Sequence, residues 1–318
     1  MDLHHLGWHR ITHLAPDLSQ LTIKSQDEAL RTHCITIYLP PDYPAAKPVI
    51  THVDLPSTRS SSSAAACAFT FSWSSEGDNI STLPDIISQY ESSLHNYQTL
   101  WDVLDDIDKN CWVIEPSLGH NNNNSSSSSI PRSCCYRRLA LLEKESTVVT
   151  LTVTLNPLDP TAFPLDYKFL GSEAIVAPLR KKLIDGYNSW RNDVFLRQNL
   201  EDILGVQLPQ PRCYNQMDGM EGEKRGGEMH DADGMNCAIC YSYRLLGENG
   251  EGDGQEDGER GVAPEDYCDN PSCGKPFHKL CLAEWLKSDT STKQAFDKLY
   301  GACPYCGAPV SVDVTMHM

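Results

Sequence analysis

A chain of 318 residues is long enough for two or three domains, each with its own core. Its formal charge of −17 excludes general binding to a phosphate backbone, which calls for a basic face, so no direct contact with nucleic acid is expected. No apolar run approaches the ~20 residues that span a bilayer, and MDLHHLGWHR lacks the apolar core of a secretory signal. The expected setting is therefore soluble and intracellular, away from membranes, where cysteines stay reduced and open to metal.

Apolar and polar residues alternate in LSQLTIKS (18–25), HCITIYL (33–39) and CAFTFSW (67–73), which predicts three half-buried antiparallel strands. Between the second and third lie YPAAKP, whose prolines keep it outside a ladder, and a low-complexity insert at 60–66. After Leu83 the period lengthens. Ile86, Ile87, Tyr90, Leu94, Tyr97, Trp101, Leu104 and Ile107 form one apolar stripe, predicting a long helix that covers one sheet face. A second unit begins near Cys111. WVIEP leads into HNNNNSSSSS (120–129), too polar for a core and expected to be a disordered loop. YRRLALL (136–142) and TVVTLTVTL (147–155) read as paired strands, NPLDPTAFP as another proline excursion, and helices are expected at 173–190 and 193–204. Strands, proline excursion and closing helices thus occur twice, an α+β plan in tandem.

From Met217 to Asp266 the chain carries 14 acidic residues against 4 basic ones. One part is a glycine-rich acidic linker, 213–234, and the other an acidic insertion, 248–266, both read as solvated spacers rather than docking tails because they hold almost no aromatic anchors. Cys34, Cys67 and Cys111 are expected to be small core residues, and Cys134, Cys135 and Cys213 show no ligand spacing.

Around the acidic insertion, eight metal-ligand side chains fall into four close pairs. They are Cys237 and Cys240, Cys268 and Cys273, His278 and Cys281, and Cys303 and Cys306. Two thiolates flanking a tight turn converge on one ion, and zinc takes four sulfur or imidazole ligands in a closed tetrahedron, so four pairs predict two zinc ions. With every position filled by protein, no open site activates water, which disfavours hydrolytic zinc chemistry. Spacing alone does not choose between sequential and interleaved pairing.

CAIC, CDNPSC, FHKLC and GACPYC, with Trp285 four residues after Cys281, resemble the RING domains of ubiquitin ligases. The run CDNPSCGKPFHKLCLAEWL is similar to the Fanconi anaemia complementation group L family of RING-type ligases, whose pattern is CxIC, CDNxxCGxPFHxxCLxEWL and CPYC. Upstream, GWHRI, YPAAKP, LWDVLDDIDKNCWVIEP and FLRQNLEDIL resemble that family's tandem RWD domains, relatives of ubiquitin-conjugating enzymes. The resemblance implies RWD-like domains at 1–110 and 111–212, the linker, and a cross-braced RING domain at 235–314. It pairs Cys237, Cys240, His278 and Cys281 on one zinc, and Cys268, Cys273, Cys303 and Cys306 on the other.

By the same resemblance the chain acts without a nucleophile, holding a ubiquitin-charged conjugating enzyme so that a substrate lysine attacks the thioester. Ile239, Tyr241, Trp285, Leu286, Pro304 and Tyr305 would form the conjugating-enzyme surface, and the RWD-like region would hold the substrate on a surface the sequence does not reveal. The implied partners are the Fanconi group I and group D pair as substrate and the Fanconi core complex subunits. The implied setting is DNA interstrand crosslink repair in the nucleus, with the cytoplasm as a second location. None of Cys34, Cys67 or Cys111 follows an HPN-type segment, so conjugating activity is not expected. The likeness begins near residue 7, so the family's additional N-terminal domain is expected to be missing, and Gly307 stands where many RING domains place a basic residue that contacts ubiquitin. Two other readings compete. A PHD-like chromatin reader shares the ligand order but carries an aromatic where this chain has Gly301, and a non-catalytic zinc scaffold would keep the fold without the docking surface.

Overall fold

The computed structural model describes residues 6–56, 69–75, 80–116, 132–144, 147–211, 235–245 and 261–314. Cys67, Cys213, the insert at 60–66, the polar run 120–129, the linker and most of the acidic insertion lie outside them. The chain divides into two compact units. The first is Met1–Asp105, Leu118–Cys135 and Leu155–Ala162, and the second is Asp106–Ser117, Tyr136–Thr154 and Phe163–Met318.

In the first unit, strands β1 (Ile11–Leu14), β2 (Gln20–Gln26), β3 (Thr32–Tyr38) and β4 (Val49–Val53) form an antiparallel sheet in that order. The alternation in β2 and β3 does what it predicts: Leu21, Ile23, Ile35 and Ile37 are buried. The third predicted strand is wrong. Residues 69–75 form no ladder, and Phe69, Phe71 and Trp73 instead contact one another with ring centroids 6.1 and 6.4 Å apart. Alternate aromatics can stack along an extended segment without a partner strand. The place beside β3 goes to VITHV, which follows the proline turn directly and pairs Val49 with Tyr38.

The single long helix is two, α1 (Leu83–Leu94) and α2 (Gln98–Asn110), joined by a 3-10 turn at His95–Tyr97. Thr82 donates its N–H to the Asp85 carboxylate at 2.7 Å, closing the first turn of α1. Every stripe residue from Ile86 to Ile107 is nevertheless buried. The helices lie against β3, where the Tyr90 hydroxyl donates to the Cys34 carbonyl at 3.2 Å and the Trp101 ring sits 4.0 Å from that of His33. Cys34 itself is only half-buried, since it alternates with Ile35 and faces away from that core, whereas Cys111 is a core residue as expected.

The second unit repeats the plan with β5 (Val113–Glu115), β6 (Tyr136–Lys144), β7 (Thr147–Thr154) and β8 (Asp166–Leu170), again antiparallel in chain order. β8 was not anticipated. Helix α3 (Glu173–Asp185) stops five residues before the predicted end, followed by a 3-10 turn at Tyr187–Ser189, and α4 (Leu196–Leu204) starts three residues late. β6 and β7 are buried on both faces. Leu139, Leu151 and Val153 lie on one face, and Arg138, Ala140, Val148 and Thr150 on the other.

The C-terminal module of this unit contains a short hairpin, β9 (Asp266–Tyr267) with β10 (Pro276–Phe277), then helix α5 (Lys279–Ser288) and a three-stranded sheet, β11 (Lys293–Ala295), β12 (Lys298–Ala302) and β13 (Pro309–Asp313). Phe277, Leu282, Leu286, Leu299, Val310 and Val312 make its core together with ligand cysteines. Among the described residues no helix is long and apolar enough to cross a membrane.

Candidate metal centres and docking surface

The fold gathers the eight cysteine and histidine donors into two groups of four, Cys237, Cys240, His278 and Cys281, and Cys268, Cys273, Cys303 and Cys306. Within each group all donor atoms lie within 4.8 Å of one another. The pairing is therefore interleaved. β10 delivers His278 to the first turn of α5, and helical spacing brings Cys281 onto the same side three residues later.

Three of the pairs sit in knuckles closed by a residue with left-handed backbone. Tyr241, Gly274 and Gly307 have φ of 60°, 55° and 70°, and each returns its N–H to the carbonyl four residues back, at 2.8 to 3.0 Å. Glycine takes this conformation freely, but Tyr241 is held there against a cost of about 1–2 kcal/mol. The open space around Gly307 would admit a side chain, yet its φ disfavours the basic residue common in other RING domains.

The spacings fit an ion of the right size. For metal bonds near 2.3 Å to sulfur and 2.0 Å to nitrogen, tetrahedral edges are about 3.8 Å between sulfurs and about 3.5 Å between sulfur and nitrogen. Here Cys268 Sγ lies 3.5 Å from Cys306 Sγ, Cys273 Sγ lies 3.9 Å from Cys303 Sγ, and His278 Nδ1 lies 3.3 Å from Cys240 Sγ and 3.8 Å from Cys281 Sγ. The other ring nitrogen, Nε2, is 3.2 Å from the Tyr243 carbonyl, which selects the tautomer that leaves Nδ1 free to bind metal.

The electrostatics also suit a cation. Burial pushes the Cys237 thiol up, but the His278 ring and the N–H groups of Cys240, His278 and Ile239 outweigh it and bring the thiol down to about 6. The Ala308 N–H holds Cys306 down, at about 7. Cys281 is pushed up to about 12 by burial and by neighbouring sulfurs, a crowding of like charge that a divalent ion between them reverses.

The residues expected to meet a conjugating enzyme divide. Tyr241 is 75% exposed, and its hydroxyl lies 3.4 Å from that of Tyr305, which itself donates to the Ala238 carbonyl. Trp285 projects from α5 at 42% exposure. Ile239 and Pro304 are half-buried, Ile239 leaning on the module core. Leu286 does not belong with them. It is fully buried, one helical step of about 100° from Trp285, and its Cδ2 comes so near Gly301 that a Cβ there would lie 2.6 Å away. Gly301 is thus explained by packing against Leu286.

The sequence reading missed Tyr243, which meets the ligand histidine through its carbonyl, and the groups that meet Tyr243 in turn, Glu115, Arg138 and Arg244. No period marks them, since Glu115 and Tyr243 are 128 positions apart.

Comparison with known proteins matches this architecture domain by domain. The FANCL UBC-like domain 2 family matches residues 1–97, FANCL UBC-like domain 3 matches 99–211, and the FANCL C-terminal domain matches 233–315. The mouse protein named E3 ubiquitin-protein ligase FANCL is 30% identical over 310 residues, 98% of this chain and 67% of its own length. The Drosophila melanogaster protein of the same name is 28% identical over 232 residues, 72% of this chain and 51% of its own. The chain thus spans between about half and about two thirds of these relatives. A solved structure titled Crystal Structure of FANCL shares the fold with a TM-score of 0.55 at 21% identity, over 96% of this chain and 70% of that one. Two UBC-like domains followed by a module with two closed four-donor groups, each matched in order, place the chain in the FANCL family of RING-type E3 ubiquitin-protein ligases.

Proposed function

We propose that this chain, loaded with two structural zinc ions, holds a ubiquitin-charged conjugating enzyme and directs one ubiquitin to a lysine of a protein bound by its UBC-like region. One observation carries the reading: two complete four-donor sets brace a module in which Tyr241, Tyr305 and Trp285 remain exposed. Soft thiolates with one imidazole suit zinc, and closed sites supply rigidity rather than Lewis-acid chemistry. The chain's own residues then act by position. The knuckle around Cys237 and Cys240 fixes Ile239 and Tyr241, and α5 fixes Trp285, giving aromatic anchors beside immobile backbone. Holding the thioester near an acceptor amine lowers the entropic part of the barrier.

Within this reading the Fanconi group I and group D pair is the substrate, the Fanconi core complex subunits are further partners, and DNA crosslink repair in the nucleus is the setting. The family membership and the upstream pair of UBC-like domains support these assignments. Calorimetric titration of the zinc-loaded chain with a panel of conjugating enzymes tests the reading. One enzyme should bind, and Ile239→Ala should weaken it about thirtyfold, the loss of one anchor of about 2 kcal/mol. Binding of histone-tail peptides with no binding of any conjugating enzyme would favour the chromatin reader instead.

A further inference from the structure

One face of the β6–β7 sheet is covered by the C-terminal module itself. Trp112, Ile114, Ala140 and Val148 from the UBC-like domain bury Met235 and pack against Tyr243 of the module. Beside this apolar patch lies a polar network drawn from both sides. The Glu115 carboxyl accepts from Tyr136 at 2.5 Å on its own domain, and from Tyr243 at 2.7 Å and Arg244 at 3.0 Å on the module. Arg138, with its side chain 3% exposed, donates to Thr150 at 3.0 Å, to the Tyr243 hydroxyl at 3.3 Å and to the Tyr267 hydroxyl at 3.4 Å. Further along, Lys168 pairs with Glu265 at 2.6 Å, and the Ser172 hydroxyl donates to the Asp269 carbonyl at 3.1 Å.

The two kinds of contact do different work. Apolar burial favours association without direction, whereas a carboxyl and a guanidinium that must each meet several donors or acceptors are satisfied at one angle only. A rotated module would keep much of the apolar contact but leave Glu115 and Arg138 buried and short of partners, which is costly. The same Tyr243 whose hydroxyl reaches Glu115 accepts from His278 through its carbonyl, so the metal knuckle and the domain contact share a residue.

We infer that Glu115, Arg138 and Tyr243 are positioning residues that lock the RING module at one orientation on the second UBC-like domain, so that ubiquitin is offered from a fixed direction. The inference rests on the ligase reading for its functional consequence, while the lock itself is testable without it. Selection among acceptor lysines then comes from this rigid arm, because a conjugating enzyme seated on the module can reach only lysines within a limited arc.

The test uses the zinc-loaded full chain, its Glu115→Ala and Tyr243→Phe variants, and residual dipolar couplings. The native module and second UBC-like domain should fit one alignment tensor, and each variant should need two while keeping two zinc ions. Tyr243→Phe removes only a hydroxyl and leaves the carbonyl that meets His278, so it decides the matter should Glu115→Ala fail to fold. A native chain that needs two tensors, or a folded Tyr243→Phe variant that still fits one, overturns the lock.

In parallel, ubiquitin-charged conjugating enzyme is supplied with the chain itself as acceptor, and the modified lysines are mapped. Native protein should modify a restricted set. Tyr243→Phe should spread the modification over more lysines while discharge onto free lysine stays unchanged, and an unaltered pattern overturns the inference. Absence of any discharge by native protein defeats the ligase reading and with it the functional half of the inference, and the couplings alone then confirm or refute the lock.

Discussion

His278→Ala tests how far the metal centres carry the C-terminal module. The side chain is 1% exposed, its Nδ1 lies 3.3 and 3.8 Å from two sulfurs, and its backbone N–H points at Cys237 Sγ at 3.3 Å. Removing the ring takes away one of four donors, and leaves the Tyr243 carbonyl without its 3.2 Å partner, itself a loss of about 1–3 kcal/mol. A structural zinc contributes about 10–16 kcal/mol at neutral pH, against about 5–15 kcal/mol for the whole stability of a typical domain. Losing one ion should therefore unfold the module. The two upstream sheets contain no ligand residues and keep the buried leucine, isoleucine and valine faces turned away from the module, so they should survive, the second one destabilised by losing the module's cover of its β6–β7 face. Metal analysis with a two-dimensional amide spectrum reads both outcomes: at most one zinc, collapsed signals from 235–314, and retained dispersion from the UBC-like domains. A variant that keeps two zinc ions and a native spectrum, or one in which all domains collapse together, refutes the reasoning.

Leu286→Ala should destabilise the module by about 2–5 kcal/mol, as for a fully buried leucine, whereas Trp285→Ala should spare the melt and weaken conjugating-enzyme binding; thermal melts paired with titrations check the split. Tyr241→Gly should leave stability within about 1 kcal/mol, because relief of left-handed strain is offset by glycine's backbone entropy. The same change should cost binding by removing the exposed ring, and a variant with weakened stability and intact binding would contradict this. His33 is fully buried, and burial, only partly opposed by Asp27 and Asp54, holds its pKa below 6.5. The unfolded chain then takes up a proton that the folded one refuses, so the contribution is fully present above pH 6.5 and lost as pH falls toward the depressed value. Denaturation followed through Trp101 between pH 7.5 and 5.5 should show this loss, with a slope of at most about 1.4 kcal/mol per pH unit, and His33→Gln should flatten it.

Local pattern carried the reading wherever one residue type does one job. Cysteine spacing, the apolar stripe from Ile86 to Ile107 and the alternation in HCITIYL each register in sequence because ligation and one-sided burial impose a period. The interleaved pairing came from family likeness and reappears in the geometry, since spacing is indifferent to it. Errors arose where two structures share one pattern. Phe69, Phe71 and Trp73 alternate like a strand but contact one another, the first pair stacked and the second edge to face, and Trp285 and Leu286 adjoin in sequence while one faces water and the other the core. Short edge strands such as ITHL and VITHV carry too few buried positions to announce themselves. The contact of Glu115 with Tyr243 is a tertiary fact with no local trace.

The central claim, that this chain delivers ubiquitin through its zinc-braced module, is tested most directly by the rate of ubiquitin discharge from a charged conjugating enzyme onto free lysine. Native protein with two zinc ions should accelerate discharge from one enzyme of a panel, and Ile239→Ala should cut the acceleration about thirtyfold at sub-saturating concentration with both ions still bound. A native chain that binds two zinc ions and accelerates discharge from no enzyme in a panel covering the conjugating-enzyme classes would contradict the account, and would leave the module a metal-braced scaffold.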